Sequence, residues 1–241
     1  MSDIIHVFEF VSRAPPLSLA DFSERWLTLN RELIDDDPTV RQCSVLTRFP
    51  QDDVAGPAAA DGVLELWFES LEEYTRFQQR READEKYRSK LAGILNGPPN
   101  PRLITRDHVI FSRRSLANDD KLIRLFYVIR RAEGLSLEHF SRYYRYVHTL
   151  YSEKPPFQRH YVQAHRLPAI GTGEPEFDGV SCIRFEDRAG LDGYLASEEL
   201  VQGVADCERF LDLSRFFSVA GLEYRLRWAG LPIAIAGDHH D

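Results

Sequence analysis

The sequence predicts an α+β fold in which two tandem ferredoxin-like units form an intramolecular pseudo-dimeric α+β barrel. A segment that begins at Phe8 recurs at Phe126, and this offset of 118 residues persists through most of the 241-residue chain. Each copy has the pattern strand, helix, strand, strand, helix and closing strand. A sheet with helices on one face leaves its other face apolar, and a second copy can cover that face.

The repeat pairs polar as well as apolar positions. Residues 8–22 read FEFVSRAPPLSLADF, and residues 126–140 read FYVIRRAEGLSLEHF. After a one-residue slip, the Asp-Gly-Val sequence at 61–63 pairs with the same sequence at 178–180. Self-similarity of this kind indicates a repeated structural unit. The predicted boundaries are 1–113 for the first unit, 114–230 for the second and 231–241 for a C-terminal tail.

Local patterns predict the individual elements. Ser18 and Ser136 suit helix N-caps, because their hydroxyl oxygens can accept from the first backbone N–H groups. Residues rich in β-branched and aromatic side chains predict the strands. The predicted strands are Ile4–Val11, Val40–Phe49, Val63–Phe68, Arg106–Phe111, Leu122–Ile129, His160–Leu167, Val180–Phe185 and Ala220–Leu226, and the predicted second helices are Leu71–Leu95 and Ala189–Leu213.

The first helix of the second unit has a continuous apolar face. Its residues recur at intervals of three and four, which places them on one side of an α-helix. The corresponding positions of the first unit are Phe22, Trp26, Leu29 and Asn30. In the second unit this predicted face consists of Phe140, Tyr144, Val147, His148 and Tyr151.

Composition excludes several classes of protein. The formal charge is −8, whereas a nucleic-acid-binding protein normally has a basic face, so no nucleic-acid partner is expected. The apolar runs are too short for a membrane span, and the start of the sequence lacks the pattern of a signal peptide. The three cysteines, Cys43, Cys182 and Cys207, are scattered and odd in number. They favour reduced thiols and a cytoplasmic location.

The second unit has a set of motif residues that the first keeps only in part. They are Arg131, Gly134-Leu135-Ser136, Phe140, Tyr144, His148, Tyr161, His165, Asp178-Gly179-Val180 and Phe185. This ensemble resembles the EthD-like group of dimeric α+β barrel proteins. The first unit departs from it at the polar positions, where Asn30 replaces His148, Gln42 replaces His160, Cys43 replaces Tyr161 and Thr47 replaces His165.

This asymmetry predicts one working pocket, in the second unit. The resemblance implies that His148 takes part in acid–base chemistry, for which the near-neutral pKa of histidine is suited. Tyr161 and His165 share one side of a strand and are the other two candidate catalytic residues. In the alternative interpretation His148 is a core histidine, Tyr161 only packs and His165 caps a loop.

Seven further residues are candidates for substrate binding. Aromatic rings can form walls that stack on a planar ligand, although each is also a plausible core residue. Arg131 has a counterpart in Arg13, which favours a structural ion pair. For His160 a surface or hydrogen-bonding role is favoured over substrate binding. The substrate-binding candidates are Tyr127, Tyr144, Tyr151, His160 and Arg131 in the second unit, and Trp26 and Asn30 in a vestigial pocket of the first.

No nucleotide-binding, zinc-protease or serine-hydrolase motif is present. We therefore expect no cofactor and no metal site, since His160 and His165 point to opposite faces of one strand. The predicted function is a cofactor-independent lyase or isomerase acting on a small aromatic or polyketide-like compound. The alternatives are a ligand-binding accessory protein of an oxidative degradation pathway and a haem- or oxygen-dependent oxidoreductase. The exposed sheet surface is compatible with a homodimer.

Overall fold

The structure, a computed structural model, describes residues 4–35, 37–50, 59–112, 121–152, 157–168 and 176–228. The predicted C-terminal tail and the predicted boundary between the units, at residues 113 and 114, lie outside these residues. Residues 4–112 are called the first half below, and residues 121–228 the second half.

The strands of the described residues form a closed antiparallel barrel, which confirms the predicted α+β barrel. Around the barrel their order is β1-β3-β2-β8-β5-β7-β6-β4, and β4 pairs with β1 to close it. The bounds are Ile5–Val11 (β1), Gln42–Arg48 (β2), Gly62–Phe68 (β3), Arg102–Ser112 (β4), Lys121–Ile129 (β5), His160–Arg166 (β6), Gly179–Phe185 (β7) and Phe217–Trp228 (β8).

The two halves contribute strands in the same order. The first half contributes β4-β1-β3-β2 and the second β8-β5-β7-β6, so each has its last strand at one edge and its second strand at the other. The halves join where β2 pairs with β8 and where β4 pairs with β6. Each edge strand is therefore paired with the other half, and the apolar sheet faces meet inside the barrel.

The helices lie outside the barrel. Both predicted second helices divide in two, because Asp84 and Ser197 have extended backbones and cap new helices by accepting from Tyr87 N and Leu200 N. Ser136 caps its helix as predicted. The helices are α1 (Leu19–Asp35), α2 (Leu71–Ala83), α3 (Glu85–Ala92), α4 (Leu137–Tyr143), a π-helix (Tyr144–His148), α5 (Thr149–Ser152), α6 (Arg188–Leu195), α7 (Glu198–Cys207) and a 3₁₀ turn (Leu213–Arg215).

The barrel interior is apolar at one end and charged at the other. The apolar part includes Phe8, Phe10 and Phe126. In the charged part, Arg124 bridges Glu65 and Glu223, with N–O distances of 2.6 Å to each. Buried charges are tolerated only when they are paired in this way. The interior is thus filled by side chains, and the cavity described next lies outside the barrel, beneath the helices.

Candidate active site

A cavity lies between the sheet of the second half and its helices. The space between its lining atoms is about 600 Å³ with the solvent at its mouth included, and about 70 Å³ of it can hold the centre of a water molecule. Strands β5, β6 and β7 form its floor, and the π-helix, α5 and α7 form its walls. Five of the residues predicted for the site line it, namely Tyr127, Tyr144, His148, Tyr151 and Tyr161.

A π-helical turn places His148 at the cavity. The helix that starts as α4 widens at Tyr144–His148, and Gln163 on β6 donates from Nε2 to the Tyr144 carbonyl at 2.8 Å. A side chain that takes a backbone carbonyl in this way interrupts the α-helical ladder. In the first half, the equivalent of Gln163 is Val45, whose side chain has no hydrogen-bond donor. The equivalent helix, α1, runs without interruption from Leu19 to Asp35.

The widened turn changes which residues face the sheet. Val147 is 37% exposed, whereas Leu29, its equivalent in α1, is 3% exposed. The predicted common face is therefore wrong for Val147, because that prediction assumed 3.6 residues per turn throughout. Phe140, Tyr144 and His148 remain buried. Single π-turns of this kind occur frequently at functional sites.

His148 is held by a buried carboxylate that was not among the predicted site residues. His148 Nδ1 lies 2.9 Å from Asp206 Oδ2 on α7, and the Tyr143 hydroxyl donates to Asp206 Oδ1 at 2.7 Å. Asp206 is 3% exposed. With its Nδ1–H donated to this carboxylate, the imidazole has its basic lone pair on Nε2.

Burial decides the protonation state of this histidine. Desolvation lowers the pKa of His148, and the hydrogen bond and charge of Asp206 only partly oppose that shift. The pKa therefore stays below the ordinary value of 6.5. At neutral pH the imidazole is therefore mainly uncharged, which is the protonation state that a general base requires.

Three hydroxyl groups cluster on the cavity floor. The Tyr144 hydroxyl lies 2.6 Å from Ser181 Oγ, and the Tyr161 hydroxyl lies 3.4 Å from the same oxygen. Gln163 Nε2 also donates to the Tyr161 hydroxyl at 3.2 Å. Burial raises the pKa of both tyrosines, so both phenols remain protonated donors. Hydroxyl protons can rotate, and this cluster can therefore donate to an oxygen of a ligand.

A second pair of phenols lines the same cavity. Tyr127 lies on β5 and Tyr194 on α6, and burial raises the pKa of both phenols. Apolar side chains such as Phe210 complete the walls. The cavity thus combines aromatic surfaces with a few polar groups, as small-molecule sites usually do.

Two of the predicted histidines lie outside the cavity lining. The His165 ring stacks on Tyr144 with centroids 4.9 Å apart, on the side where His108 packs. Burial, with smaller contributions from His108 and Arg145, lowers the pKa of His165 to about 3. His160 points into the barrel, where burial and the neighbouring Arg184 keep its pKa well below 6.5.

The other three predicted residues also lie elsewhere. Arg131 forms an ion pair with buried Asp178 at 2.5 Å, and its backbone N–H donates to the same carboxylate at 3.0 Å. Trp26 and Asn30 are fully buried in the core of the first half, where Asn30 Nδ2 donates to the Trp26 carbonyl at 2.7 Å. These three residues therefore have structural contacts and do not line the cavity of the second half.

Several residues that line the cavity or contact its lining were not among the predicted site residues. Asp206 had one usable signal, because it is an acid at helical spacing from Gly203, next to Cys207, in a predicted helix that packs on the sheet. Ser181 and Gln163 had none, since their roles depend on contacts between neighbouring strands. The remaining polar residues of this set are Gln158, Tyr194 and Glu199, which also line the cavity.

Groups of three or more residues able to hold a metal are absent from the part of the chain that the structure describes. Within the same residues, no helix is long and apolar enough to cross a membrane.

Comparison with known proteins supports the fold and the resemblance of the second half. The model of the EthD domain matches residues 132–214. An anthrone oxidase-like protein of known structure is similar over 99% of this chain and 98% of its own, with a TM-score of 0.64 and 11% sequence identity. The chlorite dismutase of Candidatus Nitrospira defluvii, solved with imidazole, matches over 93% of this chain and 92% of its own, with a TM-score of 0.55 and 13% identity.

At these identities the structural matches establish the dimeric α+β barrel fold alone. No curated protein is significantly similar to the chain in sequence.

Proposed function

We propose that this protein, whose second half carries an EthD domain, is an enzyme that removes a proton from a small aromatic compound. His148 is the general base in this proposal. The observation that carries it is the pairing of His148 with buried Asp206, at 2.9 Å, within a cavity lined by aromatic rings. We further propose that the two halves are copies of one ferredoxin-like unit, of which only the second retains a site.

The proposed chemistry follows from the protonation states. His148 Nε2 takes a proton from a carbon or oxygen of the substrate, and Asp206 stabilises the imidazolium that forms. Loss of the proton leaves negative charge on a substrate oxygen. The protonated hydroxyls of Tyr144, Tyr161 and Ser181 can donate to that oxygen, which is the usual way for an enzyme to stabilise a developing oxyanion.

The fate of the deprotonated substrate sets the reaction class. Reprotonation at another atom gives isomerisation, loss of hydroxide as water gives dehydration, and attack on a second carbonyl gives cyclisation. In decarboxylation the proton is taken from a carboxyl oxygen, CO₂ departs, and the carbanion that remains is protonated by the imidazolium. Our first candidate is accordingly a cofactor-independent lyase or isomerase for an aromatic or polyketide-like compound. The cavity supports the common first step, and the comparisons support an enzyme without selecting among these classes.

Oxidation by molecular oxygen is the second candidate. The name of the anthrone oxidase-like relative favours it. In this reaction the substrate carbanion formed by His148 is oxidised by O₂, so that a CH₂ group becomes a carbonyl and one molecule of water is released. The same residues carry out the same proton transfer in both candidates. The oxidase differs from the lyase or isomerase only in that O₂ then accepts electrons from the carbanion.

Haem chemistry fits the cavity poorly. A histidine that donates its Nδ1–H to a carboxylate has the arrangement of many metal-ligating imidazoles. However, haem carries two propionate groups, and the described residues of the lining include Glu199 and no arginine or lysine. Because that lining offers no cation to the propionates, we derive no step through haem.

Hydrogen–deuterium exchange tests the shared first step. A panel of phenolic and enone carbon acids is incubated with the protein in D₂O without oxygen, and deuterium incorporation is measured by NMR. We expect His148→Ala to reduce exchange by about 10²-fold or more. His139→Ala is the matched control, because this exposed histidine lies outside the cavity.

The outcomes separate the candidates. Exchange without oxygen, followed by O₂ uptake in air, selects the oxidase, whereas exchange with rearranged or eliminated products selects the isomerase or lyase. Compounds that bind without any exchange would refute the enzymatic proposal and favour the accessory-protein alternative. Equal exchange by the wild type and His148→Ala would refute the assignment of the base.

A further inference from the structure

Gln158 is a buried amide in the cavity wall. It precedes β6, is 1% exposed and lines the same cavity as His148. Neither its Nε2 nor its Oε1 atom has a hydrogen-bond partner among the described residues. A buried amide that leaves both a donor and an acceptor unsatisfied is costly, and buried polar groups are nearly always paired. Such a residue therefore calls for a partner that the protein itself does not supply.

The fold does not require an amide at this position. The backbone of the next residue has the same hydrogen bond in both halves: Arg159 N donates to the Arg184 carbonyl at 2.8 Å, and Arg41 N donates to the Trp67 carbonyl at 2.8 Å. The equivalent of Gln158 in the first half is therefore Val40, a fully apolar core residue that is likewise buried. The amide is present only in the half that has the cavity.

We infer that Gln158 binds the ligand of the cavity and selects an uncharged aromatic compound with a hydrogen-bond donor beside a carbonyl acceptor. A primary amide is complementary to such a pair, because its oxygen accepts from the donor while its N–H donates to the carbonyl. The described lining has no arginine or lysine that could pair with an anion, and an anionic ligand is therefore disfavoured. This inference rests on the proposed function and specifies its substrate class.

Three compounds of similar shape serve as probes: benzamide has a donor and an acceptor, acetophenone an acceptor alone, and cumene neither. Their dissociation constants are measured by ligand-observed NMR for the wild-type chain and for Gln158→Met, an apolar replacement of similar length. We expect the substitution to shift the ratio of the benzamide and cumene constants by about tenfold or more in favour of cumene. Acetophenone should show an intermediate shift.

A matched control distinguishes this role from general effects of losing a buried amide. Gln78 is also buried, in the first half, where its Nε2 donates to the Tyr74 hydroxyl at 2.9 Å. Gln78→Met should leave the probe ratio unchanged. A melting temperature measured for Gln158→Met should be equal to or above that of the wild type, because an unsatisfied amide is removed.

The inference is overturned if Gln158→Met leaves the probe ratio unchanged, if it lowers the melting temperature without changing selectivity, or if no probe binds the wild type. The binding assay is independent of turnover. If the protein binds benzamide selectively but catalyses no proton exchange, the proposed enzyme is refuted and the role of Gln158 stands. If it catalyses exchange but does not prefer benzamide, the role of Gln158 is refuted and the proposed enzyme stands.

Discussion

Replacing Asp206 by Asn tests the central feature of the site, the carboxylate that holds His148. The substitution keeps the size of the side chain and removes its charge. Asp206 accepts from His148 Nδ1 at 2.9 Å and from the Tyr143 hydroxyl at 2.7 Å. An amide in the same place can still accept from the imidazole through its oxygen, but it no longer faces the imidazolium with a negative charge.

The size of the effect follows from the two kinds of hydrogen bond. A bond to a charged group is worth about 1.5–3 kcal/mol and a neutral one about 0.5–1.5 kcal/mol. The imidazolium formed during proton transfer should therefore lose about 1–2 kcal/mol of stabilisation, which corresponds to a rate loss of about five- to thirtyfold. If the Asn amide turns its N–H₂ group towards Nδ1, the histidine changes tautomer and the loss increases towards that of His148→Ala.

The pH profile gives this prediction a second readout. Asp206 raises the pKa of His148 against the larger effect of burial. Asp206→Asn should therefore move the acid limb of the exchange rate to lower pH while reducing its plateau. Glu208→Gln is the control, because it removes an exposed charge next to the same helix. Unchanged rate and unchanged acid limb in Asp206→Asn would refute the assignment of the pair.

Three further predictions concern stability. Gly221→Ala would place Cβ 2.1 Å from the Thr47 carbonyl oxygen, where β8 joins β2, so urea unfolding should show a loss of about 1–3 kcal/mol or more. Arg124→Met leaves two buried carboxylates without their shared partner and should cost about 3–5 kcal/mol in the same assay. The pKa of His165 is about 3 in the folded chain against 6.5 as the ordinary value, so the unfolded chain binds more protons and stability should fall as the pH drops below about 6.5. His165→Leu should flatten that dependence in pH-dependent thermal melts.

The sequence was sufficient to predict which segments form strands and that the cavity lies in the second half. Local alternation, and a repeat that shows each strand twice, gave the bounds of six strands to within two residues. The predicted Arg106–Phe111 and Ala220–Leu226 were too short, because β4 and β8 extend to Arg102–Ser112 and Phe217–Trp228. The helix breaks at Asp84 and Ser197 were missed, because both residues are also compatible with a helix interior. Their role as caps is visible only once the extended backbone at each is known.

The site was predictable only where it depends on one helix or on the family resemblance. His148 and Tyr144 were found because helical spacing places both towards the sheet. Asp206 is 58 residues away from His148 along the chain, so their contact depends on the packing of α7. His165 was wrongly predicted to line the cavity. Alternation along β6 predicts the face of the sheet on which its side chain lies, but it does not predict that the Tyr144 ring stacks on that side chain.

The π-turn shows how one residue of a strand decides the geometry of a helix, and it leads to a last prediction. Gln163→Val gives the second half the residue that Val45 provides in the first, where the helix is regular. Without the amide on the Tyr144 carbonyl, the helix should return towards α-helical geometry, turn Val147 inwards and move His148 away from Asp206. We expect proton exchange to fall by about tenfold or more, with hydrogen-exchange protection changing at residues 144–149. The reasoning fails if Gln163→Val retains both the rate and the acid limb of the wild type, since the helix would then hold His148 in place without help from the sheet.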